Sequence, residues 1–478
     1  MDTVPTKLTT AGTVMLLALL VVLLTASLVW APSAHATVTR GIADNTLTRT
    51  DIALPDRQAL LHEIGARLNA HAVRLTVLWP QAEPSRGTFN TSYLNDVKAI
   101  VDTARTENLK VIVTVVYVPR WASDSSYWGS LQGFSGYQSF YPVAAGSLDD
   151  LGDFAGHLAT LLKGEVLGYE IWNEPNLWPY IFPQRTSDDL EFAAHTYLKY
   201  LKAMSPAIHA ADPDALVIGG VTAPTGTNDA YRTSPQLFDK QLKRLDAGAY
   251  FDAVSHHPYC VGGRGNLDPA LPPLVPAHTV ELSNIGTLLD LFPDKPFYLT
   301  EWAFSTAYSL DFGNGVTPTQ QAQYLTKSYR MAARYPQIKM LLQFMVSDSS
   351  PSNRCGDANG YYGGLRRMAA GGGPGAAKPS WYAFARGNRL SLYAPKTARR
   401  CSLVRLRGRL TCASVGGVSG RHLVIKVQRP GRQWTVLRGI SSGTGGYWST
   451  KVRLGASERF RLTWPGVVSS PIRLVRTR

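Results

Sequence analysis

The chain has 478 residues, 45% of them hydrophobic, and a formal net charge of +15. Its length exceeds one ordinary domain and its apolar content is ample for a large core, which excludes a disordered protein. The charge is lopsided: from Lys396 to Arg478 there are 18 Lys and Arg against the single acid Glu458, which leaves +17 in the tail and −2 before it.

At the amino terminus Lys7 precedes the apolar run Val14 to Leu24, and Ala34-His35-Ala36 supplies a small-x-small cleavage signal, so residues 1–36 read as a secretory signal peptide. The alternative is an uncleaved anchor, since the stretch to Ala31 can just span a bilayer; no later segment is long and apolar enough to do so. The protein is therefore expected to be secreted or held at the cell surface, with membrane contact only if that segment is retained.

The mature chain then alternates buried-strand runs with helical patterns. Strand Ala36–Ile42 leads to a helix over Arg57–Asn69, strand Ala72–Trp79 to a helix over Tyr93–Thr106, and the apolar strand Lys110–Val118 to a helix over Leu151–Leu162. Next come a strand ending at Glu174, a helix over Asp188–Met204, strand Ala215–Val221, a helix over Pro235–Leu245 and strand Phe251–Tyr259. A helix over Thr279–Leu291, a strand ending at Glu301, a helix over Pro318–Arg334 and strand Ile338–Val346 follow, and Lys378–Phe384 makes a last helix. Eight strand–helix units with continuous apolar strands predict an α/β fold, a (β/α)8 TIM barrel with its active site at the carboxyl ends of the strands. Long loops at Ser123–Ser147 and Asp348–Ala377 fall on that face.

Beyond Ala394 short alternating runs such as Leu423–Val427, Trp434–Leu437 and Arg459–Trp464 predict a small all-β, sandwich-like domain. The expected division is a signal peptide at 1–36, a catalytic barrel at 37–394 and a basic accessory domain at 395–478. Such a basic module suits an anionic cell-wall polymer. Four cysteines in an exported chain suit two disulfides, and keeping each pair within one domain favours Cys260–Cys355 and Cys401–Cys412.

Two strands end in carboxylic acids. Tyr169 to Trp172 runs into Asn173-Glu174-Pro175-Asn176, where the proline stops a central ladder and leaves an acid at the lip of the sheet. Pro296 to Thr300 delivers Glu301 and then Trp302 at a second lip. Paired carboxylates on separate strand ends point to acid–base chemistry.

Trp172-Asn173-Glu174-Pro175 ending strand four, with Thr300-Glu301-Trp302 ending strand seven, resembles the retaining β-glycosidases of glycoside hydrolase clan A. Arg74, Trp79, Glu83-Pro84, Gly87 and Phe89 resemble the stretch that opens the clan's active site, and His257-x-Tyr259 and Lys378-Pro379 match its strand-six and last-helix segments. Pro119-x-Trp121 is similar to family 39 in particular, with family 5 as second choice. The likeness spans residues 38–390 and departs from the clan at strand eight, where Leu341 to Asp348 lacks the usual Trp and Phe344 or Trp302 is left to floor the site.

The resemblance implies hydrolysis of O-glycosidic bonds in oligo- or polysaccharide by double displacement, with no cofactor and no metal. Glycoside cleavage needs one neutral and one ionised carboxyl. Glu174 takes the role of acid and base, held neutral by burial and by the charge of Glu301. Glu301 takes the role of nucleophile, attended by Arg74 and Tyr259, at about 5 to 5.5 Å from its partner. Asn173 is expected on the sugar 2-hydroxyl, His257 as a binder, and Trp79, Trp121 and Trp302 as sugar-stacking rings, with Trp178, Tyr117 and Tyr361 as further candidates. The competing class is a catalytically silent barrel that binds polysaccharide as a surface or adhesion module. A nuclease or phosphatase fits poorly, because no metal-ligand cluster is visible, and no specific nucleic acid partner is expected.

Overall fold

The computed structural model describes residues 38–131, 137–261, 266–308, 315–349, 360–370, 373–385, 389–412, 416–465 and 467–478. The expected signal peptide at 1–36 lies outside the described residues. Among the described residues no helix is long and apolar enough to cross a membrane.

Eight parallel strands close into one barrel in sequence order: β1 (Thr39–Ala43), β2 (Ala72–Leu78), β3 (Lys110–Val116), β4 (Gly168–Ile171), β5 (Leu216–Thr222), β6 (Ala253–His256), β7 (Phe297–Trp302) and β8 (Ile338–Phe344). The ring is shut by β1 against β8, with Thr39 beside Met340 and Ala43 beside Phe344. Small residues face wide ones inside, where Ala43, Ala72, Ile112, Ile218, Ala253, Tyr298, Met340 and Leu342 fill the barrel. Strand β3 is buried from Val111 onward, as a strand covered on both faces must be.

The outer helices are α1 (Leu54–His62), α2 (Thr91–Thr106), α3 (Leu148–Leu161), α4 (Phe192–Ala211), α5 (Pro235–Arg244), α6 (Gly286–Leu289), α7 (Pro318–Ala332) and α8 (Pro379–Ala385). Helix α2 starts where the Asn90 side chain accepts from Tyr93 N, and it buries Leu94, Val97, Ile100, Val101 and Ala104 along one stripe. Helix α7 starts at a reciprocal cap between Thr317 and Gln320 with Pro318 as its first residue.

Three expectations change. The helix expected over Thr279–Leu291 shrinks to the single turn α6, because Asn284 accepts from Glu281 N at 2.8 Å and donates to Thr279 O at 2.9 Å. That local side-chain loop competes with helical hydrogen bonding. Helix α4 begins at Phe192 and continues past Pro206 to Ala211, since Tyr200, Leu201, Met204 and Ile208 keep one buried stripe through the proline. Glu174 lies three residues beyond the end of β4, on a turn of its own.

The carboxyl-terminal region is all-β. A short strand β9 (Arg389–Leu390) pairs with β10 (Leu403–Cys412), which pairs in turn with β13 (Tyr447–Arg453). The second sheet orders β15 (Arg473–Thr477), β14 (Glu458–Trp464), β11 (His422–Gln428) and β12 (Thr435–Ser441) side by side. Alternate residues of both sheets are buried, among them Val404, Leu406, Leu410, Trp448 and Val452 from the first and Leu423, Ile425, Val427, Phe460 and Leu462 from the second.

This topology overturns the Cys401–Cys412 disulfide. Cys401 precedes β10 and Cys412 ends it, so ten residues of extended chain, on the order of 30 Å at about 3.3 Å per residue, separate cysteines that a bridge needs within about 7 Å. Cys401 is an exposed free thiol. For the other expected pair, Cys355 lies outside the described residues.

Candidate active site

Strands β2, β4 and β7 meet at Arg74. It sits on β2, almost wholly buried, and its three nitrogens serve three acceptors: Nε donates to Glu170 Oε2 at 2.5 Å, Nη2 to Asn173 Oδ1 at 2.7 Å, and Nη1 to Glu301 Oε1. Burial alone would weaken the charge of Arg74, but Glu170 and Glu301 more than offset it and raise its pKa above the usual value. Glu170, inside the barrel on β4, also accepts from Thr114 Oγ1 at 2.7 Å and Thr300 Oγ1 at 2.6 Å. Burial works against its charge, yet Arg74 and these donors hold its pKa below the ordinary carboxylate value.

Glu174 is placed by strained backbone. Trp172 and Glu174 have φ of 68° and 40°, left-handed values that side-chain-bearing residues rarely adopt. The turn is pinned by Trp172 Nε1, which donates to Tyr180 O at 2.8 Å, and by Asn176, which accepts from Ala223 N and donates to Thr233 O, both at 2.8 Å. Strain held by surrounding structure is the signature of a functional position. The carboxyl of Glu174 meets His257 Nδ1 at 2.9 Å. Burial, with a further contribution from the charge of Glu301, pushes its pKa up, so that the neutral acid is favoured.

Glu301, the last residue but one of β7, accepts from Arg74 on one oxygen and from the Tyr259 hydroxyl on the other at 3.0 Å. Burial first, and then the charge of Glu301, raises Tyr259 well above a normal phenol, so it remains a donor. One ligand atom each from Glu174, His257 and Glu301 lies within 4.8 Å of the others. An oxygen of each acid therefore lies close enough to the other for double displacement, in which the two carboxyls stand about 5 to 5.5 Å apart. A divalent cation would also fit three such atoms, but both oxygens of Glu301 already accept, one from a guanidinium cation.

The protons of the cluster can be counted. Ionised Glu170 can only accept, so the single Thr300 hydroxyl proton goes to it, and the two further contacts of that oxygen, Ser255 Oγ at 2.7 Å and His257 Nε2 at 3.1 Å, must be donors. His257 therefore carries its proton on Nε2. Its Nδ1 then shares one proton with Glu174, either as acceptor from the neutral acid or as the donor of an imidazolium. Burial opposes that imidazolium, yet Glu301 and the hydrogen bond to Glu174 raise the His257 pKa above the ordinary value.

A family model described as cellulase (glycosyl hydrolase family 5) matches residues 50–264. The chain is a glycoside hydrolase. The match is to the second of the two families it resembles, and no comparison supports family 39. No curated protein matches the chain. Among solved structures, a family 5 subfamily 18 enzyme of Streptomyces cattleya in complex with GlcNAc is 16% identical with a TM-score of 0.52, over 74% of this chain and 80% of that one. A subfamily 18 enzyme of Bifidobacterium longum subsp. infantis is 16% identical with a TM-score of 0.51, over 73% and 78%. A hyperthermophilic β-glucosidase mutant that forms a dodecamer in its crystal is 13% identical with a TM-score of 0.51, over 73% and 99%. At these identities the structures share the fold.

Among the residues expected in the hydrolase's site, Arg74, Asn173, Glu174, His257, Tyr259 and Glu301 come together. His257 is fully buried between Glu174 and Thr300, so it holds the acid and does not stand free as a binder. The expected stacking rings divide differently. Trp79, just after β2, and Trp302, at the end of β7, are wholly buried, Trp79 donating to Glu83 at 2.8 Å and Trp302 lying edge-on to Phe304 and Tyr329, so neither presents a free ring face. Trp121 is half-buried and donates to Glu83 O at 3.0 Å. Of the two rings left to replace the missing strand-eight tryptophan, Phe344 is the one in place, half-buried and edge-on to Tyr361 in a small cluster with Tyr259.

Sequence reasoning missed Glu170, Thr300 and Tyr180. The first two lie inside apolar strands, where a polar residue facing the barrel interior was the available signal. Tyr180 stacks on Tyr117 at 5.7 Å, and the charges of both Glu174 and Glu301 bear on its hydroxyl. It belongs to an aromatic wall built from the loops after β3 and β4, with Phe140, Tyr141, Trp178 and Phe182.

Proposed function

We propose that the protein is an exported retaining β-glycoside hydrolase that cleaves O-glycosidic bonds in oligo- or polysaccharide by double displacement. Glu174 protonates the leaving oxygen while Glu301 attacks the anomeric carbon and forms a glycosyl-enzyme. Attack consumes the charge of Glu301, which lowers the pKa of Glu174 and readies it to take a proton from the incoming water. Asn173 has its carbonyl oxygen engaged by Arg74, which leaves its amide N–H groups for the sugar 2-hydroxyl. The observation that carries the reading is the placement of two carboxyls with an oxygen of each within 4.8 Å of the other, one with a raised pKa beside His257 and the other against Arg74 and Tyr259.

The test uses aryl β-glycosides of several sugars, with Manβ1-4GlcNAc included because a family 5 subfamily 18 neighbour was solved with it. Glu301→Gln is expected to abolish nearly all turnover while glycan binding survives. Glu174→Ala should lose about 10²- to 10⁴-fold on poor leaving groups and little of the first step on a dinitrophenyl glycoside. Proton NMR of the first-formed sugar should show retained configuration; inversion refutes the assigned roles. Unchanged glycan binding with no turnover in the unsubstituted protein would instead favour the silent polysaccharide-binding barrel.

A further inference from the structure

The basic tail gathers its charge into a shaped surface. In the first C-terminal sheet, alternate residues of β10 face solvent as a row of Arg405, Arg407 and Arg409, about 7 Å apart along the strand. The register sets Lys451 directly across from Arg405, Ser449 across from Arg407 and Tyr447 across from Arg409. On the other side of β10, Tyr393 bridges to Arg407. Both tyrosines stand out of the sheet, Tyr393 at 58% and Tyr447 at 61% exposure, on the same face as the arginines. Arg409 lies over the Tyr447 ring at 4.8 Å and Arg405 Nε donates to Ser449 Oγ at 3.0 Å, so two of the three side chains are held in position.

Among the described residues no carboxylate forms an ion pair with Arg405, Arg407, Arg409 or Lys451. The only acid of the tail, Glu458, is buried in the other sheet against Arg429. Like charges at this spacing repel, and the arrangement costs stability unless an anion sits on it. Guanidinium forks favour carboxylates and phosphates in bidentate pairs, and an exposed tyrosine ring offers a flat face for a sugar ring. Repeated cations flanked by rings fit a linear polymer with repeated carboxylates on a stackable backbone.

We propose that the outer face of the β9–β10–β13 sheet binds an acidic polysaccharide, a glycan with uronic acid residues along its length. Single-stranded nucleic acid offers phosphates and stackable bases to the same features. The choice of a glycan rests on the reading of the barrel as a glycoside hydrolase, which needs its polymer held near a catalytic cleft.

The test takes the full chain with polygalacturonate, a neutral dextran, inorganic polyphosphate and oligo(dT), and measures binding by titration at two salt concentrations. Polygalacturonate should bind and dextran should not. The triple variant Arg405→Thr, Arg407→Thr, Arg409→Thr should weaken polygalacturonate binding at least tenfold and flatten its salt dependence. The double variant Tyr393→Ser, Tyr447→Ser should weaken the polyuronate and leave polyphosphate unchanged. Both variants should keep the melting temperature of the barrel and full turnover of an aryl glycoside. Binding untouched by the arginine variant overturns the proposal, as does tighter, tyrosine-dependent binding of oligo(dT), or equal binding of every polyanion regardless of the tyrosines. A chain that binds polyuronate in this pattern but hydrolyses no glycoside keeps the surface and loses the hydrolase reading, so the two failures are distinguishable.

Discussion

At the residue scale the site turns on where one proton sits. The Thr300 hydroxyl, spent on Glu170, obliges His257 to donate from Nε2, so that the neutral ring presents Nδ1 to Glu174 as an acceptor. That arrangement supports the protonated acid. Thr300→Val removes the constraint, and the ring can then carry its proton on Nδ1 and donate to ionised Glu174. The sign follows directly: the step needs protonated Glu174, activity falls as pH rises through its raised pKa, and support for the ionised form moves that fall to lower pH. For a poor leaving group the basic limb of kcat/KM should shift down by about half to one pH unit, while a dinitrophenyl glycoside shows no such shift. Thr300→Ser should restore the wild-type profile. A role in packing alone would lower stability and rate together and leave the limb where it was.

At the element scale the loop after β8 is tied to the start of α8 by a buried ion pair. Lys378 Nζ donates to Asp348 Oδ1 at 2.6 Å and also reaches Thr306 Oγ1 and Tyr362 O, both at 2.9 Å. Burial lowers the Lys378 pKa and raises that of Asp348, so each pays a desolvation penalty that its partner offsets. Lys378→Met should cost about 3 to 5 kcal/mol in chemical denaturation by leaving Asp348 buried and unpaired, and Lys378→Met with Asp348→Asn should recover most of it. Equal loss in both variants would show that the pair does not hold the loop. The Lys-Pro signal for this helix was legible in sequence, as were the barrel strands, because buried parallel strands are continuous apolar runs. The helix expected over Thr279–Leu291 was not, since its apolar periodicity hid the Asn284 side-chain loop that competes with it. In the site, Glu174 and Glu301 were legible because each interrupts an apolar run, whereas tryptophan beside an acid carried no signal of direction: Trp302 alternates outward from Glu301 into the barrel wall. The Cys401–Cys412 expectation failed because cysteine spacing says nothing about whether the chain between is extended.

At the scale of the whole molecule the tail is joined to the barrel through α8. Arg421, next to β11, donates to the Tyr382 hydroxyl at 2.9 Å and lies over both the Tyr382 ring at 4.9 Å and the Trp464 ring at 5.9 Å, while those rings contact each other at 4.8 Å. Arg421 Nη1 adds a second tie, donating to Ala377 O just before α8 at 3.4 Å. Tyr382 belongs to the last barrel helix and Trp464 to β14, so a stacked cation and two rings couple the core of one unit to the core of the other. If that sandwich transmits stability, heating should unfold barrel and tail in one transition, and Arg421→Ala should split or broaden it. The loss of a desolvated cation–π contact and its hydrogen bond, on the order of 2 kcal/mol, corresponds to a few degrees in the less stable unit. Calorimetry reads this directly: a single unchanged transition in the variant would mean that the two units unfold together through other contacts, and two transitions in the unsubstituted chain would mean that they were never coupled. Turnover of a small aryl glycoside should be unaffected at 25 °C in either case, because no residue of this junction reaches the carboxylates.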